Sequence, residues 1–521
     1  SLAGHLGLGN LVVLYDDNLI TIDGSTSLSF TEDVVKRYEA YGWHTITLAD
    51  GNDVDAIQQA VEAAKAVTDK PSLIKIRTII GEGCSKQGKA SCHGAPLGPS
   101  DLSMLKRTYG FSEKDSFVVD KDVYDFFGTQ TSKAQAAEAQ WHALLDKYSR
   151  QHPQEADELQ RRFRGEAPDM GQVFQNGMEP CLEAKATRQH SEFVLNKIAA
   201  ALPEVVGGSA DLSPSNLTVL KCSGDFQKDT PAGRYIRFGV REHAMAGVCN
   251  GLAAFGGYRP YCATFLNFVG YALGSVRLSA LCRFPVLYVA THDTIGLGED
   301  GPTHQPVEML ETLRATPNLL TLRPADGNEV AGAYAVAMQE TTRPSVMALS
   351  RQKCEPVTGT DVKKVALGAY LVQDLGDKSS ASVPSLIVVA TGWELGLARA
   401  VAAKVSAEDG CRVQLVSMPC QELYDEQPQA YKEGLFPEGA PVLSVECSST
   451  RGWAAYSHAQ WGIDSFGKSA PASALFSDYG FTEENLLKCA RELIAFYKGK
   501  QAPSLAKRLT FNCHTPVSGH H

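Results

Sequence analysis

The chain has 521 residues, 44% of them hydrophobic and 21% charged, with 49 basic and 59 acidic side chains and a net charge of -10. That length suits roughly three domains of about 150 residues each, and the mild acidity argues against a nucleic-acid-binding surface, which would be basic. No apolar run reaches the ~18 residues of a membrane span, and the opening SLAGHLGLGN lacks the basic region and long apolar core of a secretory signal.

Near the start, NLVVLYDDNLITIDG reads as a strand, 11–15, that delivers acidic groups and Asn18 to its carboxyl end. An amphipathic helix over 55–67, opened by Asp55, and a strand over 72–80 follow it. Alternation of this kind predicts parallel sheets covered by helices. From about 130 to 164 the chain turns helical and highly charged, a poor core and a good linker or surface arm. A second α/β block is expected over 166–360, with its clearest strand in FPVLYVATHD, 284–293, and a third over 361–500, with strands at 386–392, 413–419 and 441–446. The tail 501–521 has no clear periodicity. Thirteen cysteines, from Cys84 to Cys513, include no Cys-x-x-Cys pair, and the odd number fits neither a zinc site nor a disulfide framework. Buried free thiols in a reducing compartment are the expectation.

Ligands of parallel α/β sheets gather at the carboxyl ends of strands. Asn18 stands at such an end, and so does the loop THDTIGLGEDGPTHQP, which crowds His292, Asp300 and His304 among three glycines. Polar residues there also serve as helix caps and turn formers. In GRYIRFGVREHAMAG, Glu242 is either a solvated charge at a helix start or a chemical group. Phe265, Phe268 and Tyr271 recur every three residues, as plain core or as a pocket for a flat heterocycle. Arg188, Arg351 and Ser215 bind a phosphate or simply cap and pair; a lone arginine decides nothing.

Taken together and in order, SLAGHLGLGNLVVLYDDNLITIDGST, HGAPLG, GGSADLSPSNLT, GRYIRFGVREHAM, TFLNFVGYA, THDTIGLGEDGPTHQP, RPADGNE and LSRQ resemble transketolase, over Ser1 to about Lys500. The resemblance implies three α/β domains of the thiamin-diphosphate-binding type, with parallel or mixed sheets. These are the later part of the cofactor-diphosphate domain plus linker (1–165), a pyrimidine-binding domain (166–360) and a C-terminal domain (361–500). It implies reversible transfer of a two-carbon ketol group from a ketose phosphate to an aldose phosphate, with thiamin diphosphate and a divalent cation, Mg²⁺ or Ca²⁺. In the family a GDG segment precedes the stretch seen at 10–24 and supplies an aspartate to the cation. Residues 1–521 without it are expected to leave apolar edges exposed, to bind the cofactor weakly and to turn over little.

The resemblance assigns Asn18 and the Ile20 carbonyl to the metal, and Glu242 to the cofactor's pyrimidine N1′, where it holds a proton in an apolar surround. Phe265, Phe268 and Tyr271 match the pyrimidine pocket, and Asp211 a wall residue beside the cofactor. His93 and His304 match the histidines at the reacting oxygens, His93 also touching the cofactor. Asp300 matches the residue that reads the neighbouring hydroxyl. Arg188, Ser215, His292 and Arg351 match the channel for the substrate phosphate. A homodimer is implied, with Asn18, Ile20 and His93 from one subunit and Asp211, Glu242, the aromatic stripe and His304 from the other. The cytosol is the expected compartment, with a plastid or glycosome as the organelle alternative. A dihydroxyacetone-synthase-like transferase and a shortened non-catalytic relative are the competing readings.

Overall fold

A computed structural model describes residues 1–175, 183–377 and 383–507, which fall into two units, Ser1–Ala156 with Gln227–Pro231, and Asp157–Phe226 with the remainder from Ala232. In the first unit, β1 (Val12–Asp17), β2 (His44–Leu48) and β3 (Ser72–Arg77) form a parallel sheet in the order β1-β3-β2. The crossovers are helices α1 (Val34–Ala40) and α2 (Val54–Ala66). β1 continues past Tyr15 because Asp17 pairs in register with Arg77 and its buried carboxylate takes the Lys75 and Arg77 side chains at 3.1 and 2.8 Å. The cap of α2 is Asp53 rather than Asp55. Asp53 has the non-helical backbone a cap requires and accepts from the Ala56 N–H, while Asp55 lies two residues later, inside the first turn, and favours the helix dipole instead. β1 is an edge strand, and Leu14 on it is half exposed. The charged stretch forms α3 (Lys121–Gln151), which buries no residue, and then α4 (Pro153–Phe163), whose Arg161 and Arg162 reach buried Glu204.

The second unit holds two sheets. Its first is all parallel, β8-β9-β7-β6-β4-β5, built from β4 (Val205–Ser209), β5 (Tyr235–Arg237), β6 (Arg259–Phe265), β7 (Leu287–Thr291), β8 (Leu320–Leu322) and β9 (Ser345–Leu349). β6 and β7 are buried along their whole length, so they read as continuous apolar runs without alternation. Helices α5 (Thr187–Ala201) and α8 (Gly327–Gln339) close a core with the strands, and α6 (Glu242–Phe255) and α7 (Val269–Leu281) pack on each other. The other sheet is mixed, β10-β12-β11-β13-β14, with β10 (Tyr370–Leu375) antiparallel to β12 (Val413–Ser417). Its remaining strands, β11 (Leu386–Ala390), β13 (Val442–Val445) and β14 (Ala459–Trp461), run parallel. Helices α9 (Glu394–Asp409) and α10 (Glu483–Tyr497) cover it. The start of the tail bridges Ala502 to Gly439, and 508–521 lies outside the described residues. Among the described residues every cysteine is free, and no helix is long and apolar enough to cross a membrane.

Candidate active site

Three strand ends of the parallel sheet are tied by one side chain that sequence reading passed over. Asn216 is fully buried; it accepts from Ser209 Oγ at 2.7 Å and donates to the Thr264 carbonyl at 3.1 Å and to Thr291 Oγ1 at 2.7 Å. Those residues close β4, β6 and β7, so the amide holds the strand ends in register. The motif DLSPSN contains this residue, but only the fold reveals that its amide faces inward. Thr291 Oγ1 in turn lies 2.8 Å from His292 Nδ1. That hydroxyl accepts from Asn216 and keeps a proton and a second lone pair, so it pairs with Nδ1 of a neutral ring in either tautomer.

His292 itself has a left-handed backbone, φ 62, at the end of β7, a strained conformation of the sort that recurs at binding sites. Its ring is buried and stacks on Phe265 with centroids 3.9 Å apart. Burial, followed by the Arg188 and Arg351 guanidiniums and His304, pushes its pKa down to about 3. Phe265 also stacks on Phe268 at 5.5 Å; Phe268 continues to Tyr271 at 6.0 Å and meets the His304 ring edge-on at 4.9 Å. The period-three stripe therefore divides: Phe265 is buried, whereas Tyr271 is 70% exposed and presents a free aromatic face.

The two arginines, 163 residues apart, are brought together by a two-residue antiparallel pairing of Lys185–Ala186 with Lys353–Cys354. Thr187 and Ser350 lock it through reciprocal hydrogen bonds. Arg188 donates to the Ser215 carbonyl at 2.6 Å, while its Nε is buried without a partner. Burial, then the neighbouring Arg351 charge, lowers its pKa. Arg351 is exposed, with no hydrogen bond or ion pair among the described residues. Two guanidiniums that repel each other beside a neutral imidazole make a site that gains from an anion.

Of the other expected residues, Asp211 lies just past β4 with φ 62, and both its carboxylate and that of Asp300 are exposed. Among the described residues neither bonds to the aromatic cluster. Glu242 is the first residue of α6, half-buried and without a hydrogen bond among the described residues. Its neighbour His243 is fixed to Ser275 of α7 at 3.2 Å. Asn18, Ile20 and His93 belong to the first unit. Asn18 Oδ1 accepts from the Ile20 N–H at 2.9 Å around Leu19, which has φ 61, and His93 is exposed.

These residues fit the pyrimidine half of a thiamin cofactor: stacked rings with one open face, and an unpartnered acid at a helix start. For the cation, the Asn18 turn supplies oxygen donors suited to a hard metal; among the described residues no group of three His, Cys, Asp or Glu could hold one.

Family models match three consecutive segments, the transketolase thiamine diphosphate binding domain over 1–168, the transketolase pyrimidine binding domain over 183–356, and the transketolase-like C-terminal domain over 368–482. The chain is 48% identical over 512 residues to transketolase of Kluyveromyces lactis, covering 97% of this chain and 74% of that one. It is 46% identical to the chloroplastic transketolase of Craterostigma plantagineum, covering 95% and 96%. Among solved structures, transketolase from Leishmania mexicana aligns with TM-score 0.92 and 46% identity over 96% of this chain and 74% of the other. The Pichia stipitis transketolase complex with sedoheptulose-7-phosphate aligns with TM-score 0.93 and 46% identity over 98% and 75%. These likenesses do not favour the dihydroxyacetone-synthase reading. By its sequence and its fold, the chain belongs to the transketolase family of thiamin-diphosphate-dependent transferases.

Proposed function

We propose that this chain carries out reversible transfer of a two-carbon ketol group from a ketose phosphate such as xylulose 5-phosphate. The acceptors are aldose phosphates, ribose 5-phosphate and erythrose 4-phosphate, and the setting is the non-oxidative pentose phosphate pathway. The observation that carries this reading is the Arg188–Arg351 pair beside neutral His292, an anion site at the rim of an aromatic pocket. The Pichia stipitis relative crystallised with sedoheptulose-7-phosphate supports it.

Thiamin diphosphate, when bound, supplies a nucleophilic carbon and an electron sink for C–C cleavage. Phe265, Phe268 and Tyr271 hold its pyrimidine ring, Asp211 stands at the pocket wall, and Glu242 holds a proton at N1′. Arg188, Arg351, His292 and Ser215 bind the sugar's terminal phosphate, so that binding at the remote end orients the reacting end. His304, with Nδ1 2.8 Å from Thr303 Oγ1, and His93 exchange protons with the reacting oxygens; Asp300 reads the adjacent hydroxyl. Asn18 and the Ile20 carbonyl provide two ligands to Mg²⁺ or Ca²⁺.

A homodimer completes the site. Val248 on α6 and Tyr271, Leu278 and Leu281 on α7 are exposed apolar side chains on paired helices, a surface suited to burial against a second copy. Free thiols among the described residues suit a reducing compartment, the cytosol or a plastid. The test is an assay of the full-length protein with xylulose 5-phosphate and ribose 5-phosphate, thiamin diphosphate and Mg²⁺, read as sedoheptulose 7-phosphate formed. Turnover with formaldehyde as acceptor but not with ribose 5-phosphate would refute the assignment.

A further inference from the structure

A cluster of fully buried charges takes no part in the chemistry assigned above. Arg323, just past β8, is fully buried and donates from Nε to Asp293 Oδ2 at 2.9 Å, from Nη2 to Glu394 at 3.0 Å and from Nη1 to Thr391 Oγ1 at 2.7 Å. Thr391 donates onward to Glu446 at 2.6 Å, and Arg314 grips both oxygens of Glu446 at 2.7 Å. Asp293 follows His292 directly. Thr391 and Glu394 follow β11, and Glu446 follows β13. The guanidinium therefore joins the end of the substrate-side strand β7 to the ends of two strands in the C-terminal sheet.

The rest of the loop after β7 is gripped by the same region. Gln305 Nε2 donates to the Gly298 and Lys468 carbonyls, each at 2.9 Å, and Ser469 Oγ donates to the Glu299 carbonyl. Gly467 packs so closely on Gln305 that a Cβ there would lie 1.7 Å from Oε1. Further along, Ser448 Oγ donates to the Val307 carbonyl at 2.7 Å and Ser449 N–H to the same oxygen at 2.9 Å. Segment 293–307 is thus held at its beginning, middle and end, and it carries Asp300 and His304 and adjoins His292.

A cluster of two guanidiniums and three carboxylates is a costly way to glue two sheets, because desolvating ions offsets most of what pairing returns, and apolar packing does as well or better. What a rigid planar fork supplies is direction: it sets where each carboxylate stands. We propose that the C-terminal region is a substrate-positioning device, in which Glu394, Glu446 and Ser469 act through Arg323 and the loop backbone to hold His292, Asp300 and His304 in binding geometry. This rests on the sugar-phosphate reading of those three residues.

The test uses the full-length protein with Glu394→Ala, Glu394→Gln and Ser469→Ala. KM and kcat for xylulose 5-phosphate, thiamin diphosphate affinity, Tm and hydrogen exchange of 293–307 are measured together. Misplacing binding groups by about 1 Å costs up to ~100-fold, so Glu394→Ala is expected to raise the sugar-phosphate KM at least ~10-fold with cofactor affinity unchanged and loop exchange faster. Glu394→Gln keeps an acceptor for Arg323 and for the Cys447 N–H, and restores most of the loss. Ser469→Ala removes one hydrogen bond at an exposed position, leaves the charges intact, and raises KM about fivefold, the equivalent of ~1 kcal/mol; it serves if Glu394→Ala does not fold. A lowered Tm with KM and loop exchange unchanged in the soluble variants overturns the inference and reduces the cluster to glue. Faster loop exchange in a parent protein that performs no ketol transfer keeps the mechanical link and removes the functional reading.

Discussion

Removing the Arg351 guanidinium isolates the contribution of substrate phosphate to binding. The side chain is exposed and has no partner among the described residues, so Arg351→Ala leaves no acid unpaired and shifts folding stability by no more than about 0.5 kcal/mol, as surface changes usually do. Its effect on a phosphorylated donor is larger. A hydrogen bond to a charged group contributes about 1.5–3 kcal/mol, and exposure places Arg351 at the low end. KM for xylulose 5-phosphate should rise ~10–30-fold, the equivalent of about 1.5–2 kcal/mol. KM for an unphosphorylated ketose donor, which never meets the guanidinium, stays within ~2-fold. The same substitution removes one of the charges that hold His292 down near 3, so the imidazole titrates at higher pH, a change visible in its ring-proton NMR shifts. Equal rises in KM for phosphorylated and unphosphorylated donors would refute the phosphate assignment, whatever the fate of the fold.

Glu242→Gln preserves size and helix start but not the acid; with circular dichroism unchanged, turnover should fall ~10²–10⁴-fold, the usual worth of a positioned proton donor or acceptor. His292 makes stability pH-dependent with a defined sign. Its folded pKa is about 3 against an ordinary 6.5, so below 6.5 the unfolded chain takes a proton that the native ring refuses. That contribution is complete above 6.5 and is lost as pH falls toward 3, at about 1.4 kcal/mol per unit, or ~1 kcal/mol by pH 5.5; denaturant melts should lose this slope in His292→Gln. Glu446→Ala strands Arg314 in the interior and should cost about 3–5 kcal/mol, seen as a fall in Tm. Leu278→Asp, on the exposed face of α7, should halve the mass found by sedimentation if two copies bury that face.

Local features of the chain were largely legible. The strands at 284–293, 386–392, 413–419 and 441–446 are present as β7, β11, β12 and β13, each shorter than the apolar run that announced it, because flanking residues such as Phe284 and Pro285 enter the strand without pairing. The cap of α2 moved two residues, from Asp55 to Asp53, since either aspartate suits a first turn and only backbone conformation separates them. The aromatic stripe could be read as core or as pocket; the structure gives it both characters, with Phe265 inside and Tyr271 outside.

What the residues alone determined was the succession of α/β blocks and the motifs at strand ends. Both rest on near-neighbour properties: apolar period, β-branching, and the short polar and glycine-rich segments that end each run. What only the tertiary structure decided was which distant groups meet. Arg188 reaches Arg351 through a pairing of two residues on each side, Asn216 binds three strand ends, and Arg323 faces Asp293 and Glu394 at full burial. An arginine in a sequence carries the same charge whether solvated or enclosed. Its surroundings are set by the crossovers of parallel strands, which bring together residues far apart in the chain and remove water from between them.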